Sequence, residues 1–400
     1  MIKMLDENSI KENLETFSFP RLSGTEGEKK ALKLAFKKVE DLNLKPLIQD
    51  FMFSTFFGRI YPKVAFLLGF VVLFLFYLNF ATIFILILLM ISGFILGILF
   101  ILAIKPESMK LPKLLNSSNL YVKVASNPKK SQLDPAFKER TTAEKNILFM
   151  CHLDSKGQRF SILYRVRIIR TWVFSGLIIL IVVLIKNYIF PMFSLFFYII
   201  GIIPIAFNLI TAILFLLNTT NNISNGAIDN ASGIACVFEL LSYFTNPESR
   251  LKNFNLWFIF TGAEECGTMG IRNFYQKIKH LDKEESIIFN FDSISKSTYF
   301  FPDKKTSDQI KTIFAMFVKN NKGLVIKGNP KKIPFGSHTD GYYLKKKNFH
   351  GIGFGDLECY EHIHSIQDTV DKVDISLLRR LCETIIDNLI VFDDQINSKD

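Results

Sequence analysis

Two long charge-free stretches interrupt a chain that otherwise alternates between short apolar runs and polar turns. No residue from Val64 to Ile104 is charged, and Thr171–Ile185 is separated from the equally uncharged Asn187–Ile228 only by Lys186. About twenty apolar residues, at ~1.5 Å each, cross the hydrocarbon core of a bilayer. Each block therefore has room for two helices, turning near Tyr77 to Phe80 in the first and near Lys186 in the second. A buried core helix rarely runs so far without a polar stripe. The pattern predicts four transmembrane helices in two hairpins. Thr171–Ile185 is short for a span, which requires Arg170 and Lys186 to extend toward the membrane interfaces.

Outside these blocks the pattern is that of strands and helices in turn. Asn146–Cys151, Phe254–Thr261 and Ser286–Phe291 are near-continuous apolar runs, as expected for central strands covered on both faces. Leu47–Ser54 and Leu120–Ala125 read as strands bordering the first hairpin, and Gly323–Lys327 and Gly351–Phe354 as later ones. Ser23–Glu40 reads as an amphipathic helix opened by Thr25 and Glu28 at capping-box spacing. Ile234, Val237, Phe238, Leu241 and Phe244 repeat at helical spacing, and Ile375–Phe392 is a long terminal amphipathic helix. Such alternation predicts one α/β domain. It is assembled from residues 1–62, 105–165 and 218–400, with the hairpins at 63–104 and 166–217 as insertions.

Composition supports the membrane assignment: 49% hydrophobic residues and 41 phenylalanines among 400 exceed what a soluble chain carries. The net charge of +11 comes from dispersed Lys and Arg with no aromatic-interleaved basic motif, which argues against nucleic acid and for anionic lipid headgroups as the partner. Met1–Asp50 is polar and mixed in charge, unlike a cleavable signal. Arg59, Lys63, Lys105, Lys110, Lys113, Arg165, Arg167 and Arg170 flank the spans on the side of the polar domain, against Lys186 alone at the opposite turns. The positive-inside rule places that domain on the cytoplasmic face. Five cysteines without paired spacing suit a reducing compartment.

Acidic and imidazole side chains recur where the apolar runs end, which is where open α/β sheets bind ligands. His152 and Asp154 follow one run, so a carboxylate stands ready to accept the second N–H of a metal-binding imidazole. Asp229 lies in the small-residue stretch Asn225–Gly233. Glu264 and Glu265 end another run, and adjacent carboxylates in such a place repel unless a cation sits with them. Asp292 ends a third, and His362 and His364 are a pair of which one would suffice. Taken singly, these residues have plainer readings: a core histidine, a helix cap, a solvated loop. Together they form a carboxylate and imidazole set without thiolate, which favours Zn²⁺, with Mn²⁺ or Co²⁺ as alternatives. Five ligands exceed one tetrahedral zinc, and a bridging Asp229 divides them into two sites. With one of the two glutamates on metal, its neighbour is free to act as general base.

The ordered motifs His152-Leu153-Asp154, Asp229-Asn230-Ala231-Ser232-Gly233, Ala263-Glu264-Glu265 and His364 to Thr369 resemble those of the co-catalytic di-zinc exopeptidases of clan MH. That family includes bacterial leucyl aminopeptidases, glutamate carboxypeptidase and, more distantly, glutaminyl cyclase. The resemblance extends from Pro20-Arg21-Leu22-Ser23-Gly24-Thr25 to Asp368-Thr369-Val370-Asp371-Lys372-Val373. It implies a three-layer αβα domain with a mixed, mostly parallel central sheet and two zinc ions per chain. His152 and Asp292 would hold one zinc, Glu265 and His364 the other, with Asp229 between them, Asp154 orienting His152 and Glu264 as the base. The chain departs from the family in its long interval between His152 and Asp229 and in Ile363, where some members have Tyr. Its order around Ser337-His338-Thr339-Asp340 also differs, leaving His338 and Asp340 as weaker candidates for substrate contact.

The expected activity is hydrolysis of peptide bonds near a chain end, as in an aminopeptidase. Two rivals are an inactive peptidase-fold receptor or scaffold and a single-zinc glutaminyl cyclase. A transporter is disfavoured because, apart from Lys186, the spans lack ionisable residues.

Overall fold

The computed structural model describes residues 5–79, 87, 90–93, 95, 97–98, 105–126, 145–302, 307–324, 326–327 and 339–397. The chain divides into two compact units, one built from Met1–Phe53, Leu115–Gly157 and Asn222–Asp400, the other from Ser54–Leu114 and Gln158–Asn221.

The first unit is organised on an eight-stranded sheet of β1 (Leu47–Ser54), β2 (Leu114–Val124), β3 (Lys145–His152), β6 (Phe254–Thr261), β7 (Ser286–Phe291), β8 (Thr298–Pro302), β9 (Ile326–Lys327) and β10 (His350–Gly355), in the order β1-β2-β6-β3-β7-β10-β8-β9. The two-residue strands β4 (Gly157–Gln158) and β5 (Thr220–Asn221) lie outside it. β3 is parallel to both β6 and β7, and β10 is parallel to β7. β2 runs antiparallel to β6 and β8 antiparallel to β10. The sheet is thus mixed and mostly parallel, as the apolar runs predict.

Helices cover both faces. α1 (Glu7–Phe17), α2 (Glu26–Asp41), α6 (Ser232–Thr245), α7 (Met269–Ile278), α8 (Asp308–Lys319), α9 (Asp340–Lys346) and α10 (Ile375–Asn397) belong to this unit. On one face Leu148, Met150, Ile259 and Ile288 pack with Ile271 and Phe274 of α7 and Leu344 of α9. On the other, Phe149 stacks on Phe244 and Phe260 packs against Phe238 of α6, Phe289 meets Phe317 of α8, and Phe254 meets Phe392 of α10. Buried on both sides, β6 and β7 have no exposed residue, which is why their sequences do not alternate. His152 pairs with Thr261 in register, so β3, β6 and β7 deliver their carboxyl ends to one edge.

The second unit contains α3 (Tyr61–Tyr77), α4 (Ile162–Leu184) and α5 (Ser194–Leu217). Three helical stretches, Phe56–Tyr77, Ile162–Ile189 and Pro191–Leu217, are long and apolar enough to cross a membrane. The fourth expected span lies largely outside the described residues. α4 begins at Ile162, so the span expected to be short is extended through Arg165–Arg170. Lys186, expected to reach outward, is instead buried at 1% exposure. A π turn over Ile185–Ile189 points its ammonium at Tyr77 O (2.5 Å) and over the Tyr198 ring (3.6 Å), so a carbonyl and an aromatic face replace water. Asn208 supplies a second polar contact, donating to Trp172 O and Ser175 Oγ.

Candidate metal centre

His152 closes β3 and Asp292 follows β7, its N–H donating to Phe354 O of β10. Asp229 sits in the turn entering α6. Gly226 opens that turn at φ 63°, and a Cβ there would lie 2.5 Å from Ser155 Cβ, so only glycine fits. Glu264 and Glu265 form a helical turn after β6, introduced by Ala263 at φ 49°. His364, at φ 61°, lies in the loop before α10.

These five elements converge. His152 Nε2 is 3.1 Å from Asp229 Oδ1 and 3.6 Å from Asp292 Oδ1. His364 Nε2 is 3.1 Å from Asp229 Oδ2 and 3.0 Å from Glu265 Oε1. His152, Asp229 and Asp292 form one group able to hold a metal ion, and Asp229, Glu265 and His364 a second, with Asp229 common to both. Asp229 Oδ1 and Glu265 Oε1 are buried and accept no hydrogen bond of acceptable angle, although a histidine Nε2 is close to each. Buried acceptors without donors are costly. Their place among imidazoles and carboxylates, with no thiolate in either group, fits zinc.

Surrounding contacts hold the ligand loops. Asp154 accepts from the backbone N–H of Glu264 (3.0 Å) and Glu265 (3.1 Å) and from Ser23 Oγ (2.5 Å). His152 Nδ1 is nearer the Asp154 backbone oxygen (3.0 Å) than its carboxylate (3.5 Å). Fully buried Arg21 donates to Leu153 O, Phe19 O, Asn225 O and Gly226 O, tying the segment after His152 to the one before Asp229. Asp368 accepts from Ile228 N and Ser224 Oγ beside Asp229. Lys156 Nζ lies 2.5 Å from Glu265 Oε2.

The electrostatics follow from burial and these pairs. Burial pushes Glu264 well above the usual carboxylate range; Asp292 and Asp340 add to this and His152 opposes it. Burial also raises Glu265, but His364 and Lys156 outweigh it and bring the group to about 2. Asp229 is carried well below its ordinary value because its contacts to His152 and His364 overcome burial. Burial lowers both histidines, and the carboxylates around them more than reverse it. Desolvation brings Arg21 down to about 10.

All five residues proposed as ligands from the sequence, His152, Asp229, Glu265, Asp292 and His364, therefore meet in one place. His362 turns to Gln367 Oε1 at 3.4 Å and joins neither group. His338 lies outside the described residues. Asp340 is buried, raised by that burial to about 7, and accepts from the Thr261 hydroxyl. Arg21 and Lys156 were not singled out by the sequence pattern, and Glu28 only as a capping-box residue. Only the position of Lys156, two residues beyond Asp154, offers a hint.

Residues 211–389 match the profile of peptidase family M28, a span that includes Asp229, Glu264, Glu265, Asp292 and His364 but leaves His152 and Asp154 before it. The fold is that of solved structures with low sequence identity. An aminopeptidase from Aneurinibacillus sp. strain AM-1 is 13% identical at a TM-score of 0.53, covering 97% of this chain and 94% of that one. A Zn-dependent exopeptidase from Parabacteroides distasonis is 12% identical at 0.53, covering 98% and 99%. A glutaminyl cyclase from Fimbriiglobus ruber is 12% identical at 0.53, covering 98% and 97%. No curated protein matches the sequence. These matches support the family resemblance carried by the motifs and the α/β fold expected from it.

Proposed function

We propose that this chain is a membrane-anchored zinc metallopeptidase, an aminopeptidase-like hydrolase that takes two zinc ions and acts on peptides with a free N-terminus. One observation carries the proposal: two largely enclosed groups of candidate ligands share Asp229 through opposite carboxylate oxygens, and Glu264 stands beside a member of the second. Zinc held there would supply Lewis acidity and make a water easier to deprotonate near neutral pH. Glu264 holds the proton. Its carboxylate would take one from the attacking water and return it to the leaving amine, and burial, which favours the protonated carboxyl, would help to hold it between the two transfers. Asp154 positions this base by gripping its backbone N–H and that of Glu265. A receptor or scaffold would gain nothing from burying so many carboxylates together, which costs stability without a cation.

Glu264→Gln keeps the shape of the side chain and removes the proton acceptor. In purified, zinc-loaded protein it should lower kcat for peptide hydrolysis by about 10²–10⁴-fold with zinc content unchanged. Hydrolysis at the wild-type rate would rule out this mechanism.

The proposal further places the catalytic unit on the cytoplasmic face, on the strength of the cations flanking the spans. All five native cysteines are buried free thiols, so an added surface thiol can report sidedness. Glu26→Cys, on an exposed position of α2, should stay unlabelled by an impermeant maleimide in sealed right-side-out vesicles and react once they are opened. Labelling from outside would reverse the orientation.

A further inference from the structure

We propose that Lys156 makes the two metal positions unequal, acting as a built-in cationic competitor at the group Asp229, Glu265 and His364 and leaving that of His152, Asp229 and Asp292 to fill first. The inference rests on the metallopeptidase reading and concerns how the site takes up metal.

Glu265 divides its carboxylate between two neighbours. Oε1 faces His364 Nε2 at 3.0 Å and belongs to the metal-holding group, while Oε2 lies 2.5 Å from Lys156 Nζ. Lys156 is not a solvated surface charge: its side chain is 15% exposed, and that of Glu265 is 5%. At this depth two cations on the same carboxylate repel with little screening by water or salt. An arriving dication at Oε1 meets an ammonium on the other oxygen and must either tolerate it or displace it. No lysine or arginine is paired with Asp292 or His152, whose recorded ionic partners are carboxylates and imidazole among the described residues. The asymmetry therefore lies in the chain itself. At limiting metal the protein would be a one-metal species, and Lys156 would determine how much more is needed to complete the pair.

Zinc binding by metal-free, full-length protein in detergent tests this directly, using calorimetry with a competing chelator. The wild type should take one equivalent tightly and a second at least about tenfold more weakly. Lys156→Met should tighten the second step about tenfold or more and leave the first in place, whereas Lys156→Arg, which retains the charge, should keep the gap. If Lys156→Met does not fold, as judged by its thermal midpoint, Lys156→Gln makes the same comparison. Equal steps in the wild type would overturn the inference, as would a second step unchanged or weakened in the neutral variants. Failure of the wild type to bind any zinc would instead sink the metallopeptidase reading.

Discussion

Glu28 illustrates how a single side chain can carry more than its local pattern suggests. By spacing it belongs to a capping box with Thr25, yet Thr25 makes no side-chain cap bond, and its hydroxyl donates back to Leu22 O. The Glu28 carboxylate instead accepts from Gly24 N (2.6 Å), Ser117 Oγ (2.7 Å) and Ala263 N (2.9 Å), joining the start of α2 to β2 and to the turn that presents Glu264. Burial, aided by the charge of Asp154, raises it to about 8 against the opposing hydrogen bonds. A folded-state value above the ordinary 4.5 means that the folded protein binds this proton more tightly. The stabilising contribution is whole below about pH 4.5 and is lost as pH rises through about 8. Metal-free wild-type protein should accordingly lose thermal stability across that window. Glu28→Gln, which keeps an acceptor and removes the titration, should flatten the loss. Parallel midpoint-versus-pH curves for the two proteins would refute this role.

Among elements, those with local signals were legible. Leu47–Ser54, Phe254–Thr261 and Ser286–Phe291 are strands at the predicted residues; the last two are buried on both faces, which leaves its mark in consecutive apolar positions, while Leu47–Ser54 is largely exposed along its first half. The edges were less so. β2 begins at Leu114, ahead of the predicted Leu120, since Asn116 to Asn119 are polar and their place in the sheet comes from neighbours. α1 went unpredicted: it buries Ile10, Leu14 and Phe17, and Phe17 stacks on Phe238, a contact more than two hundred residues away that no local window contains. Of the candidate ligands, His152, Glu265 and Asp292 were readable because each ends or follows an apolar run, and Asp229 and His364 through the motifs around them. The residues that fasten their loops were not, because the Arg21 guanidinium donates to backbone carbonyls, which any sequence supplies. Lys186 was misplaced for a related reason: one turn of π-helix, invisible in composition, decides which way its ammonium points.

For the whole molecule, an α/β unit with the architecture of zinc exopeptidases and a unit with three helices apolar enough for a membrane share one interrupted chain. One of the two interruptions falls between His152 and Asp229, yet the two side chains meet within 3.1 Å. The insertion has thus left the two candidate metal groups assembled. The activity proposed for this centre is zinc-dependent removal of residues from a free N-terminus. Detergent-purified protein should be assayed against matched peptides with free and blocked N-termini, before and after chelation and after zinc is returned. The free peptide should be cleaved from its N-terminal end and the blocked one little, with activity lost to the chelator and recovered with zinc. Hydrolysis indifferent to the chelator, or none by zinc-loaded protein across a panel of free peptides, would contradict it.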